Sequence, residues 1–312
     1  MADIFRTSDG VELNVLDDRG PGVTVLLTHG WTSDLRVWDE VAAALAGRVR
    51  VIRFDHRGHG GSGAAPRGGA TLGRLGDDLA ELIADRVPTG PLVLVGHSMG
   101  GMAMMALAEL HPELVADRVA AAMFISTSAG RMGEVTFGLP KPLVRFAVKD
   151  RPRKSSAGPK KAPKKPVEPP SRLRVLGGLL FLRWLVFGTR FRLVDVRSVA
   201  DQLAKSHRAS AGGLRREIVG KHSRVAALAV YSQIPTQVLV GQLDRITPVD
   251  HAAEIARAMP GTEFVRYPAA GHMLPYERVG EVVTRIMGLA RGARTAGAAP
   301  GPGRRPRGAA RG

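Results

Sequence analysis

The chain has 312 residues, 44% of them hydrophobic, so it can bury a sizeable core as one large domain or as two. It contains no cysteine, which excludes disulfides, thiolate metal sites and a cysteine nucleophile. The formal net charge is +17, but two segments carry nearly all of it. Residues 149–174 contain ten Lys or Arg and two acids, and residues 291–312 contain six Arg and no acid. The rest of the chain is therefore close to neutral.

The first residues and the apolar runs of the chain indicate where in the cell the protein is expected. Residues 1–6 have neither a basic start nor a long apolar run, so we expect no secretory signal. No stretch reaches the roughly 18 consecutive apolar residues that a membrane-spanning helix needs. We therefore expect no transmembrane helix and predict a cytoplasmic protein.

The first 126 residues alternate between strand patterns and helix patterns. Residues 8–10 (Ser-Asp-Gly) separate two strand patterns and predict a β-hairpin. Apolar runs that predict buried strands follow, with helical spacing between them. The predicted strands are residues 4–7, 11–16, 23–28, 49–54, 92–95 and 119–126, and the predicted helices are residues 35–45, 72–87 and 102–110. Such alternation predicts an α/β fold with a doubly wound, mostly parallel sheet.

The alternation breaks between about residues 130 and 230. Residues 151–171 are rich in Pro, Lys and Ser and too polar to bury a core, so we predict a flexible basic loop there. Residues 175–187 are mostly apolar, and residues 194–230 have helical spacing. We predict that residues 130–230 form a mainly helical cap.

The α/β pattern resumes after the cap. Strands are predicted at residues 236–240 and 263–267, and helices at residues 249–259 and 277–289. Residues 1–129 and 231–290 should thus form the core. The remaining residues, 291–312, are Gly, Ala, Pro and Arg rich, and we predict a disordered basic tail.

The clearest chemical signal is in residues 92–101. Four apolar residues run into Gly96-His97-Ser98-Met99-Gly100, and a helical pattern follows, so Ser98 lies at a sharp strand-to-helix turn. Small residues are needed two positions either side of the serine, because neighbouring main chain approaches closely there. This segment resembles the nucleophile elbow of the α/β-hydrolase family.

The resemblance implies partners for Ser98 in the order serine, acid, histidine. Residues 240–248 resemble the acid loop of the family, with Asp244 following a predicted strand, and residues 270–273 resemble its histidine loop, with His272. An alternative acid position one strand earlier has no carboxylate, and Asp250 is better explained by the dipole of its helix. The family also implies that the backbone N–H groups of Trp31 and Met99 form an oxyanion hole.

Each of these residues also has a structural explanation. Ser98 could be an ordinary turn residue, Asp244 a capping residue and His272 a surface loop residue. The order in which all three follow successive strands favours the catalytic interpretation. The other histidines are interpreted as structural because they lack metal-ligand spacing, and no metal or organic cofactor is implied.

The resemblance implies a serine hydrolase that cleaves a carboxylic ester, lipid-like esters included, through an acyl-enzyme. Epoxide hydrolases and haloalkane dehalogenases carry Asp at the elbow, so Ser98 argues against their chemistry. Cofactor-free haloperoxidase-like enzymes and carbon–carbon bond hydrolases share a serine elbow and stay open. A non-catalytic binding scaffold of the same fold is the alternative from another class.

The basic segments raise the question of an anionic partner. The lysines between residues 160 and 165 lie among prolines with no aromatic residue between them, so no platform for base stacking is present and nucleic acid is not expected. Beside the apolar run 179–187, the same lysines could hold the cap against an anionic membrane. Peripheral membrane association is therefore a hypothesis, and the expected substrate is a small-molecule ester or acyl compound.

Overall fold

The computed structural model describes residues 2–138 and 172–298. Eight strands form one sheet in the order β1-β2-β4-β3-β5-β6-β7-β8. The strands are β1 (Ala2–Arg6), β2 (Glu12–Asp18), β3 (Thr24–Thr28), β4 (Arg50–Phe54), β5 (Leu92–His97), β6 (Val119–Ile125), β7 (Thr236–Gly241) and β8 (Glu263–Tyr267). The pairs β1–β2 and β2–β4 are antiparallel and all other pairs are parallel, which confirms the predicted hairpin and the mostly parallel sheet.

Helices connect the strands and cover the sheet. They are α1 (Asp39–Leu45), α2 (Leu72–Arg86), α3 (Met99–Leu110), α4 (Pro112–Arg118), α5 (Arg172–Val186), α6 (Leu193–Lys205), α7 (Arg208–Gly220), α8 (Leu228–Tyr231), α9 (Val249–Ala258), α10 (Leu274–Glu277) and α11 (Val279–Ala298). A 3-10 turn, Leu35–Trp38, precedes α1. Within the described residues, no helix is long and apolar enough to cross a bilayer.

The central strands are buried on both faces. Along β5, Val93 and Val95 pack with α1 and α11, whereas Leu92 and Leu94 pack with α2, α3 and α9. Successive side chains of a strand point to opposite faces, so a strand covered on both sides needs apolar residues at every position. Burial on both faces therefore explains the uninterrupted apolar runs of the sequence. The predicted doubly wound fold is confirmed.

The chain between β6 and β7 is helical where it is described, from α5 to α8. Two hydrogen bonds fix α7 above the carboxyl ends of the strands: Trp31 Nε1 donates to Ala211 O at 2.9 Å, and His207 N donates to Gly58 O at 2.9 Å. The predicted loop 151–171 lies outside the described residues. The boundaries of a separate cap at residues 130 and 230 stay a prediction.

The last helix is longer than the sequence suggests. The predicted disorder of residues 291–312 is wrong for residues 291–298, which continue α11 to Ala298. Ala290 and Ala293 are buried in the apolar layer beneath the sheet, so tertiary packing extends a segment that composition alone does not mark as structured. The remaining tail residues lie outside the described part of the chain.

Candidate active site

Ser98 occupies the sharp turn between β5 and α3. Its backbone has φ 52° and ψ −119°, a region that residues with a Cβ rarely adopt. Two hydrogen bonds connect the turn to the end of β6 and the loop after it: Ser98 N donates to Ile125 O at 2.9 Å, and Thr127 Oγ1 donates to Ser98 O at 2.7 Å. The surrounding structure therefore maintains a conformation that costs free energy locally.

The glycines on either side of Ser98 are required by close packing. A Cβ at Gly100 would lie 2.4 Å from the carbonyl oxygen of Thr28, and a Cβ at Gly96 would lie 2.6 Å from the backbone nitrogen of Gly101. Both contacts are with main chain, which cannot move aside easily. These distances agree with the expectation from the sequence that neighbouring main chain leaves room only for small residues at positions 96 and 100.

Asp244 lies buried in the loop that follows β7. Its Oδ1 accepts hydrogen bonds from the backbone N–H groups of Ile246 and Thr247, at 2.9 and 2.8 Å, and its Oδ2 accepts one from Thr247 Oγ1 at 2.9 Å. Burial raises the pKa of Asp244, but the neighbouring His272 and the hydrogen-bond donors of the loop lower it by more. The pKa thus lies below its ordinary value, and the carboxylate is charged at neutral pH.

His272 follows β8 and faces Asp244. Its Nδ1 lies 2.9 Å from Asp244 Oδ2, and since a carboxylate only accepts, Nδ1 donates and carries the proton. In the neutral form of this ring, Nε2 has the lone pair that can accept a proton. The structure thus brings together the predicted acid and the predicted histidine.

Ser98 adjoins this pair through its neighbour His97. The His97 and His272 rings have centroids 4.9 Å apart, and His97 Nε2 donates to the backbone carbonyl of His272 at 2.9 Å. Among the described residues, Ser98 Oγ makes no hydrogen bond to His272. Such contacts are often long in unliganded enzymes and tighten when substrate binds.

The two predicted oxyanion donors lie at the same turn. Met99 is the first residue of α3, so its N–H has no acceptor within the helix. Within the described chain, the backbone N–H of Trp31 has no hydrogen-bond acceptor either. A Cβ placed on Gly30, the residue before Trp31, would lie 3.0 Å from Ser98 Cβ. The turn after β3 therefore packs directly against the elbow.

The ring of His29 connects the turn after β3 to the segment after β4 by hydrogen bonds. The backbone N–H of His56 donates to His29 Nε2 at 2.9 Å, so the His29 proton is on Nδ1, which donates to the Gly30 carbonyl at 2.8 Å. The ring centroids of His56 and His59 lie 4.6 and 5.4 Å from that of His29. Burial lowers the pKa of His29 to about 4 and that of His59 to about 3. These side chains are therefore neutral and buried.

Ser98 lines a small apolar cavity of about 120 Å³. Its wall comes from α3, from α7 and from the turns that follow β3, β6 and β7. The apolar and aromatic side chains that line it are Trp31, Met102, Met132, Val135, Phe137, Ile218, Val219 and Ile246. The cavity therefore favours an uncharged chain or ring next to the serine.

Sequence reasoning missed three contributors to this site. Thr247 fixes the Asp244 carboxylate, and its position three residues after the acid is a turn signal that could have identified it. His97 binds the histidine loop from the elbow, and Arg215 of α7 lines the cavity. No local pattern marks either role, because both depend on contacts between segments far apart in sequence.

A family model described as the alpha/beta hydrolase fold matches residues 23–279. The chain belongs to the α/β-hydrolase family. The esterase of Thermogutta terrifontis is similar in structure, with a TM-score of 0.71, 27% identity and coverage of 94% of this chain and 99% of the esterase. The enol-lactonase of Burkholderia xenovorans has a TM-score of 0.70 at 23% identity, with coverage of 93% and 100%.

An uncharacterized protein of Mycobacterium tuberculosis is 28% identical to this α/β-hydrolase over 292 residues, covering 91% of this chain and 80% of the relative. The family and the esterase neighbour support hydrolase activity.

Acid should destabilise this α/β-hydrolase through its buried histidines. Burial lowers the pKa of His97 to about 3, that of His59 to about 3 and that of His29 to about 4, against 6.5 in the unfolded chain. Below about pH 6.5 the unfolded chain binds protons that the folded chain does not, so stability is full above that pH and falls as the pH drops towards the folded values. Urea unfolding at about pH 5.5 should show a loss of about 1 kcal/mol for each such histidine.

The variant His97→Gln removes one of these groups, so the loss of stability between neutral pH and about pH 5.5 should be smaller than in the wild type. Equal unfolding free energies at the two pH values in the wild-type protein would contradict the assignment of these histidines as neutral.

Proposed function

We propose that the chain is a serine hydrolase that cleaves carboxylic esters through an acyl-enzyme. Ser98 is the nucleophile, His272 the general base and then the general acid, and Asp244 orients His272. The observation that carries the proposal is the 2.9 Å hydrogen bond between the buried Asp244 carboxylate and His272 Nδ1, next to a serine held in a strained turn. A serine hydroxyl is a poor nucleophile at neutral pH, and this arrangement supplies the base that it needs.

The first half of the reaction forms the acyl-enzyme. Ser98 Oγ attacks the carbonyl carbon of the ester, and its proton passes to His272 Nε2. The positive charge that develops on His272 is stabilised by Asp244. The negative charge on the former carbonyl oxygen is stabilised by the backbone N–H groups of Met99 and Trp31. His272 then gives the proton to the departing alcohol, and the acyl group stays on Ser98.

Water reverses these steps in the second half. His272 Nε2 takes a proton from a water molecule, whose oxygen attacks the acyl carbon. The intermediate collapses, the proton passes from His272 to Ser98 Oγ, and a carboxylic acid leaves. This chain contributes every group that moves a proton or stabilises charge in the scheme.

An ester is the preferred substrate among the serine-elbow reactions because the Thermogutta terrifontis protein, an esterase, is 27% identical across nearly the whole chain. Carbon–carbon bond hydrolysis and haloperoxidase-like chemistry would use the same elbow and remain alternatives. A binding scaffold would also keep the fold, but it would need neither the buried charge of Asp244 nor the strained Ser98.

The esterase rate of a variant without the Ser98 hydroxyl distinguishes a serine hydrolase from a non-catalytic binding scaffold. Ser98→Ala should lower kcat for 4-nitrophenyl acetate and butyrate by a factor of about 10³ or more, because only binding and the oxyanion donors remain. The matched control Ser232→Ala removes a hydroxyl outside the site and should leave the rate unchanged. Equal rates for Ser98→Ala and the wild-type protein would refute the mechanism.

We also propose that the cap binds anionic membranes. Eight large apolar side chains of α5 and α6 are exposed. Five of them, which we call the apolar face, are Leu173, Leu176, Leu180, Leu193 and Val194. Three of them line one groove with Arg197, and residues 149–174 of the sequence carry a net charge of +8. Exposed apolar groups beside basic ones suit an interface of acyl chains and anionic headgroups.

Vesicle sedimentation tests this association. Wild-type protein should bind vesicles that contain phosphatidylglycerol more than vesicles of phosphatidylcholine alone, and the double variant Leu176→Ser/Leu180→Ser should bind less. Val225→Ser, which changes an exposed apolar residue outside the apolar face, is the control. Binding that depends neither on anionic lipid nor on the two leucines would rule the proposal out.

A further inference from the structure

The cavity beside Ser98 has a charged side chain in its otherwise apolar wall. Among the described residues that line this cavity, Arg215 is the only ionisable one. Arg215 belongs to α7, and Ile218 and Val219, three and four residues further on, line the same cavity. Residues at these spacings lie on one face of a helix, so α7 presents one cation together with two apolar side chains towards the serine.

Arg215 has no acidic partner within the described chain. The acid nearest to it in sequence is Glu217, whose Oε1 pairs with Lys221 at 2.8 Å. The described lining of the cavity contains no carboxylate. A guanidinium that no acid of the described residues neutralises, in the same cavity as the proposed nucleophile, is available to a negatively charged substrate.

The next residue of α7 provides an internal comparison. Arg216 lines a different groove, formed with the segment 65–71 and Lys221, and it does not line the cavity of Ser98. Two arginines adjacent in sequence thus face different environments, because neighbouring helix positions are about 100° apart around the axis. Of these two arginines, Arg215 is therefore the one placed to meet a group bound next to Ser98.

We propose that Arg215 binds a carboxylate on the substrate, so that the preferred substrates are esters that carry a carboxylate several atoms from the scissile bond. The proposal rests on the proposed function and names the substrate class of the same site. A guanidinium presents paired N–H donors that match the two oxygens of a carboxylate. The apolar residues around it would contact the carbon chain between the ester and the carboxylate.

The expected kinetic effect follows from the distance to the reacting carbon. A carboxylate held away from the scissile bond binds Arg215 equally in the ground state and in the transition state. Loss of such uniform binding raises KM and leaves kcat nearly unchanged. Because Arg215 is exposed at the wall of the cavity, water competes for the guanidinium, and we expect an effect of about tenfold.

Two substrates of equal acyl length test the proposal: the mono-4-nitrophenyl ester of adipic acid, which carries a carboxylate, and 4-nitrophenyl hexanoate, which does not. Wild-type protein should have the higher kcat/KM for the adipate ester. Arg215→Met keeps an unbranched apolar stem and a similar helix propensity but removes the guanidinium, and it should raise KM for the adipate ester about tenfold, with little change for the hexanoate. Arg216→Met should change neither, and Arg215→Lys should restore part of the loss.

An equal effect of Arg215→Met on both esters, no effect on either, or a wild-type preference for the hexanoate would overturn the proposal. If both esters are hydrolysed and Ser98→Ala abolishes this, the proposed function stands whatever Arg215 does.

Calorimetric titration with free adipate gives a readout that needs no turnover. The variant Ser98→Ala should bind adipate, and Ser98→Ala/Arg215→Met should bind it about tenfold more weakly. Equal affinities would contradict the role of Arg215 even if neither ester is hydrolysed.

Discussion

The site depends on the close contact between β3 and the elbow that follows β5. Thr28, the last residue of β3, pairs with Gly96 in the sheet, and its carbonyl oxygen approaches Gly100 so closely that no Cβ fits there. This contact keeps Ser98 in its strained conformation. It also fixes the turn after β3, which carries the Trp31 N–H. One packing constraint thus positions both the proposed nucleophile and one proposed oxyanion donor.

The main chain of the histidine loop is hydrogen-bonded both to the elbow and to the end of α5. His97 donates to the His272 carbonyl, and the His272 N–H donates to Val186 O at the end of α5. The cap therefore contacts the loop that carries the proposed base. Donors and a base that are already in place do not have to reorganise during the reaction. This preorganisation lowers the free energy of a charged transition state. The helix α7 contributes Arg215, Ile218 and Val219 to the cavity wall, so the proposed substrate selection and the proposed chemistry draw on different segments of the chain.

The sheet could be predicted because its physical cause is local. Strands buried on both faces need uninterrupted apolar runs, and the run at β5 is visible in the sequence. The extended α11 could not be predicted, because Ala290 and Ala293 become buried only through contacts with distant elements. The helix α4 was missed as well, although Pro112 at its first turn is a typical helix start.

The site was predictable only in part for the same reason. Family resemblance drew attention to Ser98, Asp244 and His272, and the structure brings the last two into hydrogen-bonding contact. The roles of His97 and Arg215 arise from segments that meet only in the folded chain. His97 lies in the elbow and Arg215 in α7, and the position of α7 relative to the elbow cannot be read from the hydrophobic periodicity of the sequence.

The most direct test of the account is covalent labelling of the nucleophile. A fluorophosphonate reacts with an activated serine: the Oγ–P bond forms, fluoride leaves, and the serine proton goes to the general base. Mass spectrometry of intact and digested protein should show one label, located on Ser98, and none on the Ser98→Ala variant. A wild-type protein that takes up no label, or takes it up at another residue, would contradict the central claim that Ser98 is an activated nucleophile.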